Sequence, residues 1–480
     1  MTIEYLREKI DSNDKYLGAD LLITTNKVSH DINKKYNAFV TIIDKPEYLE
    51  NKDSILNGIP YSAKDMFSTK GILTTGSSNS LKDYIPVFDA TVIARLKKAG
   101  AILTSKSVCD EFGLGGTGTT GHTGIVRNPY DAKRQAGGSS AGSAVAVATG
   151  VVPFALGTDT GDSVRKPAAF CGIVGYKPTY GVISRYGVLP FASSLDHVAV
   201  FANSVKDASI VVDAIKGPDG KDMTCLPDTA NFTEQIDDNV QGKKLFYIKE
   251  LCNINSYENP NEELIESIKL FNDTIEKCKK MGSEVVEESI DQKLLNAIQP
   301  TYQVISCAEA TSNLSMYTGI IYGPRGVGNN INDMMKDYRT KGFSPLIKRR
   351  LVIGSYVLQK ENQERYYLNA CRVRRLIINT FNELFTKYDG FITMASGAGA
   401  PLLDEKGEVL SEEAVLENHL AIGNFGGYPS ITIPNGYVDK MPIGINITGK
   451  VMDDANILNI ASALEKQIGF KSALEGGLHD

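Results

Sequence analysis

The sequence has no C-x-x-C pair, no H-E-x-x-H and only five histidines, at 30, 122, 197, 419 and 479. A structural zinc site and zinc hydrolase chemistry therefore have no ligand spacing to rest on. The seven cysteines, Cys109, Cys171, Cys225, Cys252, Cys278, Cys307 and Cys371, are scattered and odd in number. That excludes a disulfide framework and suits a reducing, cytoplasmic location. No uninterrupted 18-residue apolar run is present, so no membrane span is expected. The start, Met1-Thr2-Ile3-Glu4-Tyr5, lacks the basic and apolar regions of a secretion signal. A large excess of positive charge is missing too: 51 Lys and Arg stand against 57 Asp and Glu, for a net charge of −6, and the basic clusters at 348–350 and 372–375 are small. Attraction of the whole chain to nucleic acid is not expected, and any RNA in its biology falls to a partner.

What is present is an ordinary globular composition, 42% hydrophobic and 22% charged, on a chain of 480 residues that can bury a large core without a metal or disulfide. Leu6, Ile10, Leu21, Leu22, Val28 and Ile32 recur at helical spacing, which makes 1–36 a helical lead-in. From Ala38 the pattern changes to β-α-β punctuation. Strands are expected at 39–43 and 59–63, a helix at 91–98, a strand at 101–104, a tightly packed helix at 143–149 and a buried strand at 151–156. Charged helical patterns follow at 261–280 and 362–387, and a strand pair closes the chain near 430–434 and 443–448. Length alone favours two or three domains. The chain shows no internal repeat and no linker, so the reading is one α/β domain over 1–480, a large mixed β-sheet covered by helices on both faces. Within it, 55–205 forms the motif-bearing core, 206–300 a helical insertion, and 301–450 a substrate-binding half with the closing strands.

The stretch from Gly113 to Gly142 is crowded with Gly, Ser and Thr. Composition alone reads as a linker, but it lies between packed elements, where backbone comes close to a ligand. The G-x-S-x-G at Gly138 to Gly142 would make Ser140 a nucleophile-elbow serine, yet Asp131 to Ala136 before it is polar and loop-like, not a strand. A different set uses the serines better. Lys64 ends Gly58-Ile59-Pro60-Tyr61-Ser62-Ala63-Lys64, Ser139 sits in Gly137-Gly138-Ser139-Ser140, and Ser163 sits in Gly157-Thr158-Asp159-Thr160-Gly161-Asp162-Ser163-Val164-Arg165.

With Gly175-Tyr176-Lys177-Pro178-Thr179 following, these motifs in this order resemble the amidase signature family, whose enzymes use a Ser, cis-Ser, Lys triad. The resemblance implies the amidase signature fold, Ser163 as nucleophile, Ser139 with a cis peptide bond as relay, and Lys64 as base. Chemistry asks for the same types. An amide carbonyl needs a deprotonated nucleophile, a proton relay to the leaving amine, and donors for the oxyanion. The backbone N–H groups of Thr160, Gly161, Asp162 and Ser163 are placed to be that oxyanion hole. Lys64 must be neutral, so burial among hydroxyls should lower its pKa. Asp159 and Arg165 flank the turn and are expected to pair as its buttress; otherwise they are a plain surface ion pair.

Tyr302 to Leu314, Tyr317 to Gly323 and Ile347 to Leu358 are similar to the glutaminase (A) subunits of the glutamyl-tRNA(Gln) amidotransferases. That resemblance implies glutamine hydrolysis through an acyl-serine and delivery of ammonia for conversion of Glu-tRNA(Gln) to Gln-tRNA(Gln). It further implies a tRNA-binding, transamidating B subunit that uses ATP and Mg²⁺, a small C subunit, and no cofactor or metal on this chain. By motif position Arg350 clamps the substrate carboxylate, Tyr302 hydrogen-bonds the substrate, and Glu417 stands where the family has Asp. Asp162 replaces a Gly, Thr119 and Thr120 replace Glu-Asn, and Gln303 replaces a second Tyr. A carboxylate facing the oxyanion would oppose the developing charge, so the Asp162 side chain is expected to turn away, toward Lys166 or Arg165. Two other readings are a stand-alone amidase for another carboxamide and a catalytically silent scaffold.

Overall fold

In the computed structural model, which describes residues 1–12, 17–227, 230–410 and 418–474, the short apolar runs become strands of one sheet. Among the described residues these are β1 (Phe39–Ile42), β2 (Pro60–Lys64), β3 (Ile102–Ser107), β4 (Phe154–Asp159), β5 (Val174–Lys177), β6 (His197–Ala202), β7 (Lys244–Ile248), β8 (Glu284–Glu288), β9 (Gly390–Met394), β10 (Ser430–Val438) and β11 (Met441–Thr448). Their order across the sheet is β1-β3-β2-β4-β6-β5-β10-β11-β9-β7-β8. β2 runs parallel to both β3 and β4, and β7 parallel to β8 and β9, while β4/β6, β5/β6, β5/β10 and β10/β11 are antiparallel. The sheet is mixed.

Side chains alternate across it, as the pleat requires. Phe154 and Leu156 of β4 and Val198, Val200 and Ala202 of β6 enter one core; Ala155, Ala199 and Phe201 enter the other. Helices Thr91–Lys98, Val205–Ile215, Glu262–Lys280 and Asp454–Ile468 bury their apolar stripes in the first core, and Ala141–Ala148 and Arg165–Cys171 theirs in the second. Because both faces are covered, β2 and β4 are buried throughout. The small residues of Ala141–Ala148 have a direct cause: a Cβ on Gly142 would sit 2.1 Å from the Ala38 carbonyl oxygen. The helix therefore lies close against the segment entering β1, which carries its N-terminal end to the ends of β2 and β4.

The lead-in forms two helices, Ile3–Ser12 and Leu17–Tyr36, and the first of them inserts Ile3 and Leu6 into the main core. The segment 206–300 differs from the helical insertion read from the sequence. The helix at Glu262–Lys280 is the crossover between β7 and β8, so the segment extends the sheet at its far edge as a parallel β-α-β unit. Two features hid these strands. β8 is Glu284-Val285-Val286-Glu287-Glu288, with the acids of an edge strand that discourages further pairing. β7 also packs into an aromatic cluster distant in sequence, in which Phe246 meets Phe381, Phe385, Tyr388 and Phe391.

Candidate active site

Lys64 is the last residue of β2, flanked by β3 and β4, and its side chain is wholly buried. Its Nζ lies 2.7 Å from Ser139 Oγ, 3.0 Å from Ser140 Oγ and 2.7 Å from Thr158 Oγ1. Burial drives its pKa down, and the charges of Asp110, Asp159 and Asp196 offset this only in part. A neutral amine surrounded by hydroxyls is able to accept a proton. The neighbouring Asp65 turns elsewhere, accepting from Thr75 N–H at 2.9 Å and facing Lys106 at 3.5 Å.

Ser139 follows a cis Gly138–Ser139 peptide bond, and its carbonyl accepts from the Asp110 N–H at 3.0 Å. Ser140 N–H donates to the Ser163 carbonyl at 3.3 Å, which brings the end of the Gly-rich loop against the turn after β4. Lys64, Ser139 and Ser163 are thus gathered at one place, with Ser139 and Ser163 almost fully buried. The Lys64–Ser139 bond is formed, while the Ser163 hydroxyl makes no hydrogen bond among the described residues. Around it, the backbone N–H groups of Thr160, Gly161 and Ser163 have no acceptor among the described residues. They are available to an oxyanion.

Why residue 161 is glycine is visible in what covers it. A Cβ there would lie 2.9 Å from the Tyr302 ring. Tyr302, on helix Ile298–Asn313, therefore roofs the turn, and burial pushes its phenol pKa up, so it stays a neutral hydrogen-bonding group. Arg350 reaches the same place from helix Pro345–Val357 and acts electrostatically on Tyr302 and Cys307. The two helices approach closely because Gly354 has no side chain: a Cβ would fall 2.1 Å from Cys307 O. The half-buried Arg350 guanidinium makes no ion pair or hydrogen bond among the described residues. Glu417 lies outside the described residues.

The Asp162 carboxylate faces Lys166 Nζ at 3.5 Å, one of the two partners expected for it. Asp159 and Arg165 are fully buried, which excludes the surface-pair reading. Arg165 grips Asp159 with two bonds, Nε to Oδ2 at 3.1 Å and Nη2 to Oδ1 at 2.9 Å, and also donates to Gly161 O at 2.6 Å and Leu420 O at 2.6 Å. Burial would raise the Asp159 carboxyl, but Arg165 overrides it and holds that group below the usual carboxylate range. The Val164 N–H donates to Asp159 Oδ2 at 3.0 Å, so the pair fixes both ends of the Ser163 turn.

Several members of the site were not read from the sequence. Thr158 and Ser140 complete the shell around Lys64; Thr158 lies in the same strand-and-turn motif as Ser163, and only β2–β4 pairing shows that it faces Lys64. Asn424 donates to Asp159 Oδ1 at 3.0 Å and accepts from Arg165 at 2.7 Å. Asp196, pushed up to about 6 by burial, accepts the Thr160 hydroxyl at 2.7 Å. Asp110 shapes the Gly-rich loop, accepting from the N–H groups of Thr117, Gly118, Thr119 and Thr120. Thr119 and Thr120, where the sequence departs from the family pattern, are part of that closure.

Comparison with known proteins agrees with this geometry. The Amidase family model matches residues 24–458. The chain is 39% identical over 426 residues to the A subunit of the glutamyl-tRNA(Gln) amidotransferase of Pelagibacter ubique, covering 88% of this chain and 86% of that protein. It is 36% identical over 486 aligned residues to the corresponding protein of Thermoanaerobacter pseudethanolicus, covering 98% and 97%. The crystal structure of the glutamyl-tRNA(Gln) amidotransferase A subunit from Thermotoga maritima superposes with a TM-score of 0.81 at 32% identity, over 97% of this chain and 94% of that one. No helix among the described residues is long and apolar enough to cross a membrane. Alike to these proteins in sequence and in fold over nearly its whole length, the chain belongs to the amidase signature family.

Proposed function

We propose that the chain is the glutaminase subunit of a tRNA-dependent amidotransferase. The observation that carries the chemistry is the buried Lys64 amine, surrounded by the hydroxyls of Ser139, Ser140 and Thr158. Ser163 Oγ attacks the side-chain amide carbon of glutamine while its proton passes through Ser139 to Lys64. The N–H groups of Thr160, Gly161, Asp162 and Ser163 hold the oxyanion. Collapse of the tetrahedral adduct breaks the C–N bond, and the proton returns through Ser139 to the departing ammonia. Water then hydrolyses the γ-glutamyl ester and releases glutamate.

Substrate recognition follows from the charges of a zwitterion. Arg350 holds the α-carboxylate, Tyr302 hydrogen-bonds the substrate from above the turn, and Glu417 takes the α-ammonium. The reading of Arg350 is supported by a half-buried guanidinium with no acidic partner among the described residues. An amide without a carboxylate has no use for it. The relatives that span the chain are amidotransferase subunits, which favours this reading over a stand-alone amidase or a silent scaffold.

The partners follow from the same reading. A transamidating subunit that binds the tRNA and uses ATP and Mg²⁺ receives the ammonia, and a small third subunit joins the two. The glutaminase step itself needs no cofactor. The complex works in the cytoplasm, where aminoacyl-tRNA is used, and all seven cysteines of the chain are free thiols. The test is glutamate release from glutamine by the assembled complex. Release that is abolished by Ser163→Ala and rises with ATP and Glu-tRNA(Gln) is the expected result. A properly assembled complex that releases none would overturn the reading.

A further inference from the structure

Between the serine loop and the helix that carries Arg350 lies the turn Asp110-Glu111-Phe112, and its three side chains reach in different directions. Asp110 gathers the Gly-rich loop and donates its N–H to Ser139 O. Phe112 is fully buried with φ +51° and ψ 24°, a left-handed conformation that a bulky residue adopts only when its surroundings impose it. Those surroundings are Tyr317, stacked at 4.9 Å, and Phe343, edge-on at 6.0 Å.

Glu111, 2% exposed, points toward the start of the Arg350 helix. Its Oε2 accepts the Ser344 N–H at 3.1 Å, and its Oε1 accepts from Ser78 Oγ at 2.5 Å. Ser78 Oγ also lies 3.4 Å from Gly342 O, so one carboxylate oxygen bonds the segment 342–344 directly and the other bonds a serine packed against it. Ser344 is the N-cap of helix Pro345–Val357 and accepts from Ile347 N–H. Arg350 lies less than two turns further along. At its other end Glu111 is fastened to the serine loop, its own N–H donating to Thr120 Oγ1 at 3.2 Å. His122, on the same loop, acts electrostatically on the carboxylate.

We infer that Glu111 is a positioning residue that sets helix Pro345–Val357, and with it the Arg350 guanidinium, in register with the Ser139–Ser163 centre. The inference rests on the reading of Arg350 as the carboxylate clamp. Glu111 does not touch the substrate. It fixes the distance between the group that grips the carboxylate and the group that attacks the amide, and that distance must match the length of a glutamine side chain. A cap that merely stabilised the fold would alter melting and leave substrate discrimination unchanged.

Steady-state hydrolysis by the full chain assembled with its partner subunits tests this. The substrates are glutamine and 4-aminobutanamide, the same amide without the α-carboxylate. Glu111→Asp keeps the charge but is one methylene short of Ser344. It is expected to raise KM for glutamine by about tenfold to 100-fold, the scale on which a misplacement of about 1 Å acts, with kcat held. Glu111→Gln keeps the length and an acceptor for Ser344, and restores KM. On 4-aminobutanamide Glu111→Asp and the wild type are alike, and adding Glu111→Asp to Arg350→Ala causes no further loss. Where Glu111→Asp does not assemble, Ser78→Ala removes one of the two contacts and shows a smaller rise in the same direction. An unchanged KM for glutamine, or an equal loss on both substrates, overturns the inference. If Arg350→Ala also leaves KM unchanged, the clamp reading falls with it; if Arg350→Ala raises KM and the Glu111 variants do not, the inference alone falls.

Discussion

At the scale of single residues, the site depends on which charges face the reacting centre and which are turned from it. Burial lowers the Lys64 pKa, and the Arg350 guanidinium has no acidic partner among the described residues. Asp162 is the instructive case. A carboxylate in an oxyanion turn would oppose catalysis, yet its side chain is directed to Lys166, and its φ is not in the left-handed range where glycine would be required. Asp162→Gly is therefore expected to leave kcat for glutamine essentially unchanged. A gain of about tenfold, equivalent to ~1.4 kcal/mol of barrier, would mean that the carboxylate does act on the oxyanion. Ser163, Ser139, Lys64 and the Asp159–Arg165 pair could be picked out in the sequence because few residue types suit the steps proposed for them and the Ser163 motif is short; the structure brings them together. Ser140 and Thr158 were not, since a hydroxyl of either kind is common in loops and strands and its partner lies 76 or 94 residues away.

At the scale of elements, helix ends set the positions of the working groups, and one such end gives a pH-dependent test away from the site. The N-terminus of helix Val205–Ile215 is capped by Glu465 of helix Asp454–Ile468, whose carboxylate accepts the Val205 N–H at 3.1 Å. Burial, with Asp207 adding to it, pushes the Glu465 carboxyl up to about 7. Between the ordinary glutamate value and that value the folded state binds more protons than the unfolded chain. The stabilisation by protonation is therefore full at low pH and is lost as pH rises through about 7. Glu465→Gln retains an acceptor and never ionises. It is expected to unfold at higher denaturant than the wild type near pH 8, by about 1–3 kcal/mol, with the difference shrinking toward pH 5. A constant difference across that range would show that Glu465 does not titrate there. The β-α-β unit of β7 and β8 carries the complementary lesson: its helix was legible as a charged helical pattern, but its acid-rich edge strand was not, because a short strand with three glutamates has no apolar alternation to read.

At the scale of the whole molecule, the lead-in is part of the fold. Ile3 and Leu6 enter the main core, the Ile3 N–H donates to Asp207 Oδ1 at 3.1 Å, and Arg7 donates to the Asn57 carbonyl at 2.6 Å. Removing residues 1–12 exposes the surface that those two side chains cover, a loss of about 3–6 kcal/mol at about 1.5–3 kcal/mol for each fully buried side chain. The truncated chain is expected to melt well below the full one while releasing glutamate normally at low temperature, since no residue of that helix touches the site. A melting temperature equal to that of the full chain would show the helix to be dispensable.

The sequence by itself determined the reaction class. The residues proposed as nucleophile, relay, base and oxyanion turn lie in short motifs that can be recognised without the rest of the chain. Tertiary structure alone decided what those groups face. Sheet order places β4 beside β2 and so brings Thr158 to Lys64; the packing of two helices through Gly354 brings Arg350 to Tyr302; and the Asp110-Glu111-Phe112 turn joins the serine loop to that helix pair. Asn424 reaches Arg165 across 259 residues of chain and Ser344 reaches Glu111 across 233. Contacts at such separations leave no local period or spacing in the sequence, because the chain between them is constrained only by the fold that brings its ends together.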